Sequence, residues 1–344
     1  MGYKTNLFST LVCMMLLSSC SCKKDKLKVE LGSKITMVKA TDDNSSWQLY
    51  IDAAVEDRPG IWIDLNNNNQ KDHGEAITKF GMESGDLNTF VLGSSKKVVL
   101  YGNITKLNCN TNELVSLDCS NNTTLKELNC AVNRLSHLNV TGLSMLEILD
   151  CGFNELTTLN VSGNVKLKSL SCLYNNLTAL SLSTNTALIT LECMSNKLST
   201  LDLSKNTALR TLSCSDNLIT GLDVSKNVSL TSLHCMKNKL TTLDVSNNLS
   251  MTKLVCVNNL LTTLDLSNNA ALTEVDICRN RIAGANMKAF MRNLPLQSSA
   301  SKGRLTLLMA PDGNSRPEPG DIAEAKAKNW ELYELNSSGI ESEM

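Results

Sequence analysis

The sequence is poor in aromatic residues and in net charge, and each shortage excludes a class of protein. Aromatic side chains make up only 4% of the 344 residues although 42% are hydrophobic, so the core must be built from aliphatic side chains rather than rings. The formal net charge is -1, which lacks the basic excess of a nucleic-acid-binding protein. We therefore expect no nucleic-acid partner.

Histidine is also scarce. The three histidines, His73, His137 and His234, lie in unrelated sequence settings, and none has a neighbouring nucleophile or a repeated acidic partner in the sequence. A catalytic site needs a nucleophile, a base and an orienting group within mutual reach. No such constellation can be recognised, so we predict that the chain is not an enzyme.

Long hydrophobic runs are absent from the sequence as well. The apolar stretch at 7–17 follows Lys4 and is shorter than the roughly 20 residues that a membrane-spanning helix needs, so residues 1–19 are interpreted as a signal peptide. The stretch ends in "LSSC", which resembles the bacterial lipobox. The resemblance implies that Cys20 is a lipid anchor, that residues 20–26 form a tether, and that the membrane is contacted only through the lipid. A plain secretory signal with a chance cysteine is the alternative.

What the sequence has in abundance is a repeat. Eight units of 21 residues run from Leu107 to Glu274 without an insertion, and a degenerate ninth begins at Val275. Each follows the pattern L-x-C-x-x-N-x-L-x-x-L-x-[LV]-S-x-N-x-x-L-x-x, with two extended segments per unit. The third position of every complete unit is cysteine: Cys109, Cys130, Cys151, Cys172, Cys193, Cys214, Cys235 and Cys256.

The repeat carries its own physical logic. In "TLECM", Leu191 and Cys193 alternate with Thr190 and Glu192, so a strand would point the first pair to one side and the second pair to the other. One coil cannot bury its own leucines, whereas coils stacked about 4.8 Å apart form a continuous core. The asparagine three residues after each cysteine, such as Asn196, is predicted to satisfy backbone groups of adjacent coils at the turn.

These units resemble leucine-rich repeats of the short bacterial class, and the cysteine at a core position most resembles the cysteine-ladder repeats of internalin J. We therefore predict a leucine-rich repeat solenoid with a parallel β-sheet face over residues 104–282. A β-rich N-terminal cap is predicted at 27–103 and an α/β C-terminal cap at 283–344. Caps cover the ends of the solenoid, whose leucines would otherwise face water.

The cap predictions rest on short patterns. "SWQLYIDA" places Trp47, Leu49 and Ile51 on one face of a strand, and "KKVVLYG" forms a second strand before the first coil. After the repeats, the spacing of Met287, Phe290, Met291 and Leu294 predicts a short helix. It is followed by a strand in "GRLTLLMA", a helix in "PGDIAEAKAKNW" and a strand in "WELYEL".

The C-terminal tail also resembles caps on repeat lipoproteins of the Bacteroidetes. That resemblance, with the lipobox, implies a lipid-anchored protein of the outer membrane, on the cell surface rather than the periplasmic face. The residues after the anchor, "SCKKDK", are mostly basic, whereas surface lipoproteins of this group usually carry acidic residues there. This departure leaves the side of the membrane open.

The repeated cysteines are predicted to be buried free thiols that behave as small hydrophobic residues. In-register parallel strands hold their Cβ atoms about 4.8 Å apart, whereas a disulfide needs roughly 3.5 to 4.5 Å. Cys119 occupies the core position of a second half-turn, which favours the same interpretation. The alternatives are disulfides between some adjacent coils, or a metal site, for which C-x-x-N lacks paired ligand spacing.

A calcium loop is predicted in the N-terminal cap, and calcium is the only cofactor expected. In "DLNNNNQKDHGE", oxygen-bearing residues occupy positions 1, 3, 5, 9 and 12, with a backbone-carbonyl position at 7. Asn69 replaces the glycine expected at position 6, although asparagine tolerates the left-handed conformation needed there. A polar turn without metal is the alternative. The ligands would be Asp64, Asn66, Asn68, Gln70, Asp72 and Glu75.

An exposed apolar cluster is predicted on the outward side of the middle coils. Phe153 and Tyr174 share one position in consecutive coils and should stack about 5 Å apart. Apolar clusters with aromatic anchors mark partner sites, although the rings could instead cover the turn into the next half-coil. The column Asp202, Asp223, Asp244 and Asp265 is interpreted as structural. The predicted ligand-binding residues are Val132, Ile148, Phe153, Leu173, Tyr174 and Met194.

The internalin resemblance implies a monomeric adhesin or partner-recognition scaffold that binds a protein or glycoprotein. A glycan-binding accessory protein of nutrient uptake and a structural envelope component are the alternatives. A glycan binder should display several exposed aromatic platforms, but Phe153 and Tyr174 are the only aromatic residues of the repeats. The sequence therefore favours a protein ligand.

Overall fold

The computed structural model describes residues 32–40, 46–90, 95–300, 302–309, 313–336 and 340–344. The predicted signal peptide, the anchor Cys20 and the tether lie outside the described residues. Within the part of the chain that the structure describes, no helix has both the length and the apolar character needed to cross a membrane.

The N-terminal region consists of five short strands in two sheets. The alternation of apolar and polar residues in "WQLYID" buries Trp47, Leu49 and Ile51 as predicted. Strand β2 pairs with the parallel sheet of the solenoid, while β1, β3 and β5 form a four-stranded antiparallel sheet whose fourth strand belongs to the first coil. The strands are β1 (Lys34–Lys39), β2 (Trp47–Asp52), β3 (Trp62–Asp64), β4 (Asn88–Phe90) and β5 (Lys97–Tyr101).

Each 21-residue unit forms one coil that contributes a three-residue strand to a parallel sheet. Neighbouring strands pair in register one repeat apart, as Leu149 pairs with Leu170 and Leu170 with Leu191. These strands are β6 (Lys106–Asn108), β8 (Glu127–Asn129), β9 (Ile148–Asp150), β10 (Ser169–Ser171), β11 (Thr190–Glu192), β12 (Thr211–Ser213), β13 (Ser232–His234), β14 (Lys253–Val255) and β15 (Glu274–Asp276).

The core is one continuous column of leucine and cysteine along the coils, and the predicted leucine-rich repeat fold is confirmed. Within one coil Leu191, Cys193 and Leu198 are completely buried, and the equivalent residues repeat in the next coils. At the N-terminal end β2 covers the first coil by pairing antiparallel with β6, so that Ile51 lies opposite Leu107. The leucines of that coil are therefore shielded from water.

The asparagine after each strand binds the backbone of two coils, as predicted. The Asn196 side-chain amide donates to the carbonyl oxygens of Cys172 in the preceding coil at 3.0 Å and of Cys193 at 3.2 Å. Its Oδ1 accepts the backbone N–H of Leu177 at 2.9 Å. A buried turn would otherwise leave these groups unpaired, and each unpaired group costs about 1–3 kcal/mol.

A second extended segment was predicted in every coil, but the structure forms one only in the first, at β7 (Leu114–Asp118). There β1 pairs antiparallel with β7 and supplies its backbone partners. Later coils have no such neighbour, and the segment makes only isolated bridges between Asp118 and Asn139 and between Asn139 and Asn160. The partner strand, rather than the L-x-L pattern, therefore decides where this second segment becomes a strand.

The C-terminal cap continues the parallel sheet beyond the last coil. The predicted helix buries Met287, Phe290 and Met291. The next strand starts at Gly303, where a Cβ atom would lie 2.6 Å from the ring of Trp330, so only glycine fits. The cap elements are α1 (Ala285–Arg292), β16 (Gly303–Met309), α2 (Pro319–Ala327), β17 (Trp330–Leu335) and β18 (Glu341–Glu343), with β15, β16 and β17 mutually parallel in that order.

Candidate functional site

The strand face is defined here as the surface formed by the outward side chains of β6 and of β8 to β15 and by the turn after each of these strands. Three residues beyond each strand, every coil holds a non-glycine residue in the left-handed region, with φ between 50° and 56°. This conformation is uncommon for asparagine and a true outlier for a β-branched residue such as Val132. The turn residues are Thr111, Val132, Phe153, Tyr174, Ser195, Asp216, Lys237, Asn258 and Arg279.

Phe153 and Tyr174 occupy this turn position in consecutive coils and form an exposed ring pair. Their ring centroids lie 4.4 Å apart and the ring planes are inclined by 12°, so the predicted stacking is confirmed. Phe153 is 48% exposed and Tyr174 46%. Their backbone N–H groups donate to the carbonyl oxygens of Leu173 and Met194 at 2.8 and 2.9 Å, which extends the register of the sheet into the turn.

Most of the predicted ligand-binding residues lie in the turns beyond the strands. Strands β9 and β10 end at Asp150 and Ser171, so the rings lie in the turn beyond them. Of the six predicted residues only Ile148 lies within a strand. The left-handed residue ends the extended conformation, and periodicity alone does not reveal that change of direction. The six residues still lie on the strand face, at adjacent positions of neighbouring coils.

Small residues beside the rings shape the apolar surface. The side chain of Leu173 leans over Gly152, where an added Cβ would approach Leu173 Cδ1 to 3.1 Å. Ala131 stands at the same position one coil earlier and is buried. Leu173 and Met194 are half-buried, so they form a floor next to the exposed rings. Sequence reasoning missed Ala131 and Gly152, although two consecutive small residues at an outward position were a usable signal.

Charged residues on the strand face fall into two groups. Three glutamates pair with lysines of neighbouring coils, whereas Asp276 near the C-terminal end forms no ion pair with any Lys or Arg of the described residues. Asp150 and Glu192 of the middle coils form none either. Both are half-buried, and the Asp150 carboxylate accepts only the Gly152 backbone N–H, at 3.1 Å, in the described part of the chain. The paired residues are Lys106 with Glu127 at 2.7 Å, Lys168 with Glu147 at 2.7 Å and Lys253 with Glu274 at 2.9 Å.

Towards the C-terminal end the strand face becomes basic. Lys237 and Arg279 occupy the turn position of the ring pair, and Lys239 and Arg281 follow two residues later. The exposed rings, with the half-buried Leu173 and Met194 beside them, lie instead in the coils of β9, β10 and β11.

The predicted burial of the cysteine ladder is confirmed, and within the described residues the ten cysteines are free. Burial raises the pKa of the Cys109 and Cys214 thiols to about 12, so almost no reactive thiolate exists at neutral pH. Cys119 is buried as predicted, and Cys278 of the ninth unit joins the set. The cysteines therefore act as core residues.

The loop at 64–75 folds around its two buried acids. Asp64 accepts the backbone N–H groups of Asn68 and Asn69 at 3.2 and 2.9 Å, and Glu75 accepts those of Leu65 and Asp72 at 2.9 and 2.8 Å. Asn69 has φ 57°, which is the left-handed conformation expected for position 6.

The predicted calcium ligands partly converge. The side-chain amides of Asn66 and Asn68 both donate to Asp72 Oδ2, at 2.8 and 2.6 Å. Carboxylate and amide oxygens are the donors that calcium prefers, although here Asn66 Oδ1 and Asn68 Oδ1 accept the backbone N–H groups of Asn68 and Gln70 at 3.0 and 2.7 Å. Gln70 lies exposed beside them. In the described residues, however, no three His, Cys, Asp or Glu side chains group closely enough to hold a metal by themselves.

The aspartate column of the repeats serves the turns. Asp202, Asp223 and Asp244 each accept the backbone N–H of the serine two residues later, at 2.8 to 2.9 Å. Hydrogen bonds from those serines hold the pKa of each of the three carboxyl groups below its usual value. The structural interpretation of this column is confirmed.

One histidine has a hydroxyl neighbour that the sequence did not reveal. Ser136 Oγ lies 2.9 Å from His137 Nδ1, but both side chains are exposed and adjacent in the chain. Within the described residues no carboxylate hydrogen bonds to this histidine, so the pair lacks the orienting group of a catalytic triad.

Comparison with known protein structures also points to the leucine-rich repeat fold. The functional domain of InlJ from Listeria monocytogenes, which includes a cysteine ladder, superposes with a TM-score of 0.54 at 32% identity over 63% of this chain and 52% of that domain. This chain therefore spans about half of that domain's length. No model of a known protein family and no curated protein sequence matches the chain.

Two more distant structures share the fold. A leucine-rich repeat protein of Leptospira interrogans gives a TM-score of 0.53 at 20% identity, over 67% of this chain and 65% of its own. The leucine-rich repeat domain of APL1B gives 0.50 at 21% identity, over 68% of this chain and 77% of its own. The chain is thus a leucine-rich repeat solenoid whose structural neighbours include internalin-like proteins.

Proposed function

We propose that this protein is a non-enzymatic, monomeric lipoprotein of the cell envelope that binds a protein or glycoprotein through its strand face. The observation that carries the proposal is the exposed Phe153–Tyr174 pair above the apolar floor of Leu173. Exposed apolar clusters with a polar rim mark interaction sites, and aromatic anchors supply much of the binding energy at such sites. Solenoids present such surfaces along many coils.

The ring geometry favours a protein surface over a sugar. Because the two rings stack on each other, each covers one face of its neighbour, which reduces the flat platform available to a pyranose. The adjoining Ile148, Leu173 and Met194 add aliphatic rather than hydrogen-bonding groups. Such a surface suits an apolar side chain of a protein partner.

Capture from surface-protein extracts, in parallel with a glycan array, tests the partner class. The variant Phe153→Ser/Tyr174→Ser should lose a captured protein that the wild type retains. Val228→Ser/Leu249→Ser is the matched control, because these exposed apolar residues also share one position in consecutive coils but lie off the strand face. Glycan binding that depends on the rings, or protein capture that survives their loss, contradicts the proposal.

We further propose that Cys20 anchors the protein to the outer membrane, on the cell surface. The support is the "LSSC" sequence after an apolar segment. Cys20→Ala should release the protein from membranes and abolish acyl labelling, and protease treatment of intact cells should remove the wild-type protein. Persistent acylation of the variant argues against the anchor, and protection from protease places the protein on the periplasmic face.

Calcium binding at 64–75 is a separate proposal, supported by the buried Asp64 and Glu75, which form no ion pair with a described Lys or Arg. A cation would neutralise them and draw in the oxygens of Asn66, Asn68 and Asp72, stabilising the cap. Isothermal titration should show binding that Asp64→Ala abolishes and the exposed Glu56→Ala retains. Absence of heat with the wild-type protein identifies the loop as a metal-free turn.

A further inference from the structure

We propose that the partner presents a basic side chain, arginine or lysine, next to an apolar one, and that the basic group binds between Asp150 and Glu192. The inference rests on the proposed function and specifies the chemistry of its protein partner. Asp150 lies in the coil that carries Phe153, and Glu192 lies in the coil after the one that carries Tyr174; both are half-buried, and neither forms an ion pair with a described Lys or Arg.

The register of the sheet places the two acids on either side of one small residue. Ser171 pairs with Asp150 of the preceding coil and with Glu192 of the following coil. Since parallel strands lie about 4.8 Å apart, the two acidic residues are separated by roughly 10 Å with only a serine between them. A cationic group from outside can therefore enter the gap and contact both carboxylates.

The other glutamates on the strand face support this assignment, and Asp276 at the C-terminal end lies within the electrostatic influence of Arg304. Glu127, Glu147 and Glu274 each have a lysine of an adjacent coil within 2.9 Å. A half-buried carboxylate loses part of its hydration, and without a partner that loss is uncompensated. A basic group of a binding partner would supply the positive charge that Asp150 and Glu192 lack. Charge complementarity of this kind selects between partners.

The apolar neighbours define the rest of the partner segment. Phe153 follows Asp150 by three residues and Tyr174 follows Ser171 by three, so the stacked rings lie at the turns beside the gap, with Leu173 next to them. A basic group bound at the acids therefore leaves its neighbouring side chain over this apolar surface. Arginine suits the position because its planar guanidinium binds carboxylates in a bidentate manner and also stacks on aromatic rings.

The basic end of the strand face confines the segment to these coils. Lys237 and Arg279 occupy the ring position in the later coils. A basic segment extending in that direction would meet like charge, which opposes binding. The acceptable footprint is therefore the coils of β9, β10 and β11.

A random peptide library displayed on phage tests the inference without knowledge of the natural partner. Peptides selected on the immobilised wild-type protein should be enriched in arginine or lysine beside an apolar residue. Synthetic versions should bind Asp150→Asn/Glu192→Gln at least about tenfold more weakly than the wild type, because a charge-assisted contact is lost. Replacement of arginine by neutral citrulline in the peptide should weaken binding to the wild type by a similar factor.

A control and two opposite results separate the inference from the proposed function. Glu56→Gln/Glu318→Gln removes the same charge from exposed positions outside the strand face and should leave peptide affinity unchanged. Peptides that require Phe153 and Tyr174 but are not basic, or that bind the Asp150→Asn/Glu192→Gln variant equally well, overturn the inference and leave the binding function intact. Selection of peptides that ignore the rings, or of none, contradicts both. If free spermidine displaces the bound peptides whatever their sequence, the site attracts any cation, and this result also overturns the inference.

Discussion

The inside and the strand face of the same coils follow opposite rules. Inside, each coil repeats the same leucine, cysteine and asparagine positions, and these are buried except for the half-buried Asn133. On the strand face, even a single position varies widely. The turn residue is threonine, valine, phenylalanine, tyrosine, serine, aspartate, lysine, asparagine or arginine in different coils. The constant interior maintains the stack, because each coil packs only on its neighbours. The variable exterior is free to be shaped for recognition.

Substitutions inside the coils and substitutions on the strand face should therefore have different energetic effects. An interior change opens a cavity or leaves a backbone group unpaired, and the neighbouring coils share the damage. A change on the strand face meets water and should alter binding more than stability. The following expectations test that division, beginning with the largest effect.

The cysteine ladder should be chemically silent in the folded protein. A thiol reagent should modify Cys193 and its equivalents at least about a thousandfold more slowly than in denaturant, because these buried thiols react only after the coils open. Mass spectrometry of peptides alkylated before and after unfolding measures the ratio. Linked peptides from adjacent coils would instead show disulfides and refute the free-thiol ladder.

Asn196→Ala should lower the free energy of unfolding by about 3 kcal/mol, because it removes the partners of the Leu177 N–H and the Cys172 carbonyl. Urea denaturation followed by circular dichroism gives the value. The exposed neighbour Lys197→Ala should change it by less than about 0.5 kcal/mol. Equal effects of the two substitutions would remove the distinction between interior and surface.

Val132→Asn should raise the free energy of unfolding by about 1 kcal/mol, since asparagine tolerates the left-handed conformation that strains a β-branched residue. The chain already uses Asn258 at the equivalent turn. Val165→Asn is the control, because Val165 is exposed without a positive φ. If Val132→Asn does not stabilise the protein relative to this control, the turn carries no strain.

Asp276→Asn should stabilise the protein slightly at neutral pH. Burial raises the pKa of Asp276, so the folded protein favours the protonated acid, and its contribution to stability is lost as pH rises from the unfolded pKa through the folded one. Asparagine keeps the acceptor for the Cys278 N–H without the charge. The gain, under about 1 kcal/mol, should vanish below about pH 4 in a pH series of urea melts. A constant gain across that series would contradict this origin.

Much of the fold could be predicted from the sequence because a repeat without insertions fixes the register. Once Leu191 and Cys193 face inward, every coil follows by translation, and the asparagine bonds follow from the turn. The β7 pairing with β1 could not be predicted, because contacts between distant segments leave no local pattern. The short strand β18 was missed for the same reason, since it pairs only with β17.

The candidate site was predictable in composition but not in geometry. The shared position of Phe153 and Tyr174 gave their stacking, but the left-handed turn that carries them was hidden because valine, phenylalanine and tyrosine rarely adopt it. The pairing of charges across coils depends on side-chain reach rather than on repeat position. The unpaired Asp150 and Glu192 therefore emerged only from the structure.

The central claim is that the Phe153–Tyr174 pair serves binding rather than stability. The most direct measurement is the thermal unfolding midpoint of Phe153→Ser/Tyr174→Ser, taken on the same preparation as its affinity for a selected peptide. We predict a midpoint within about 2 °C of the wild type, because both rings are nearly half exposed, together with a loss of affinity of at least about tenfold. A clear fall in the midpoint, or an unchanged affinity, would show that the rings belong to the core or are incidental to binding.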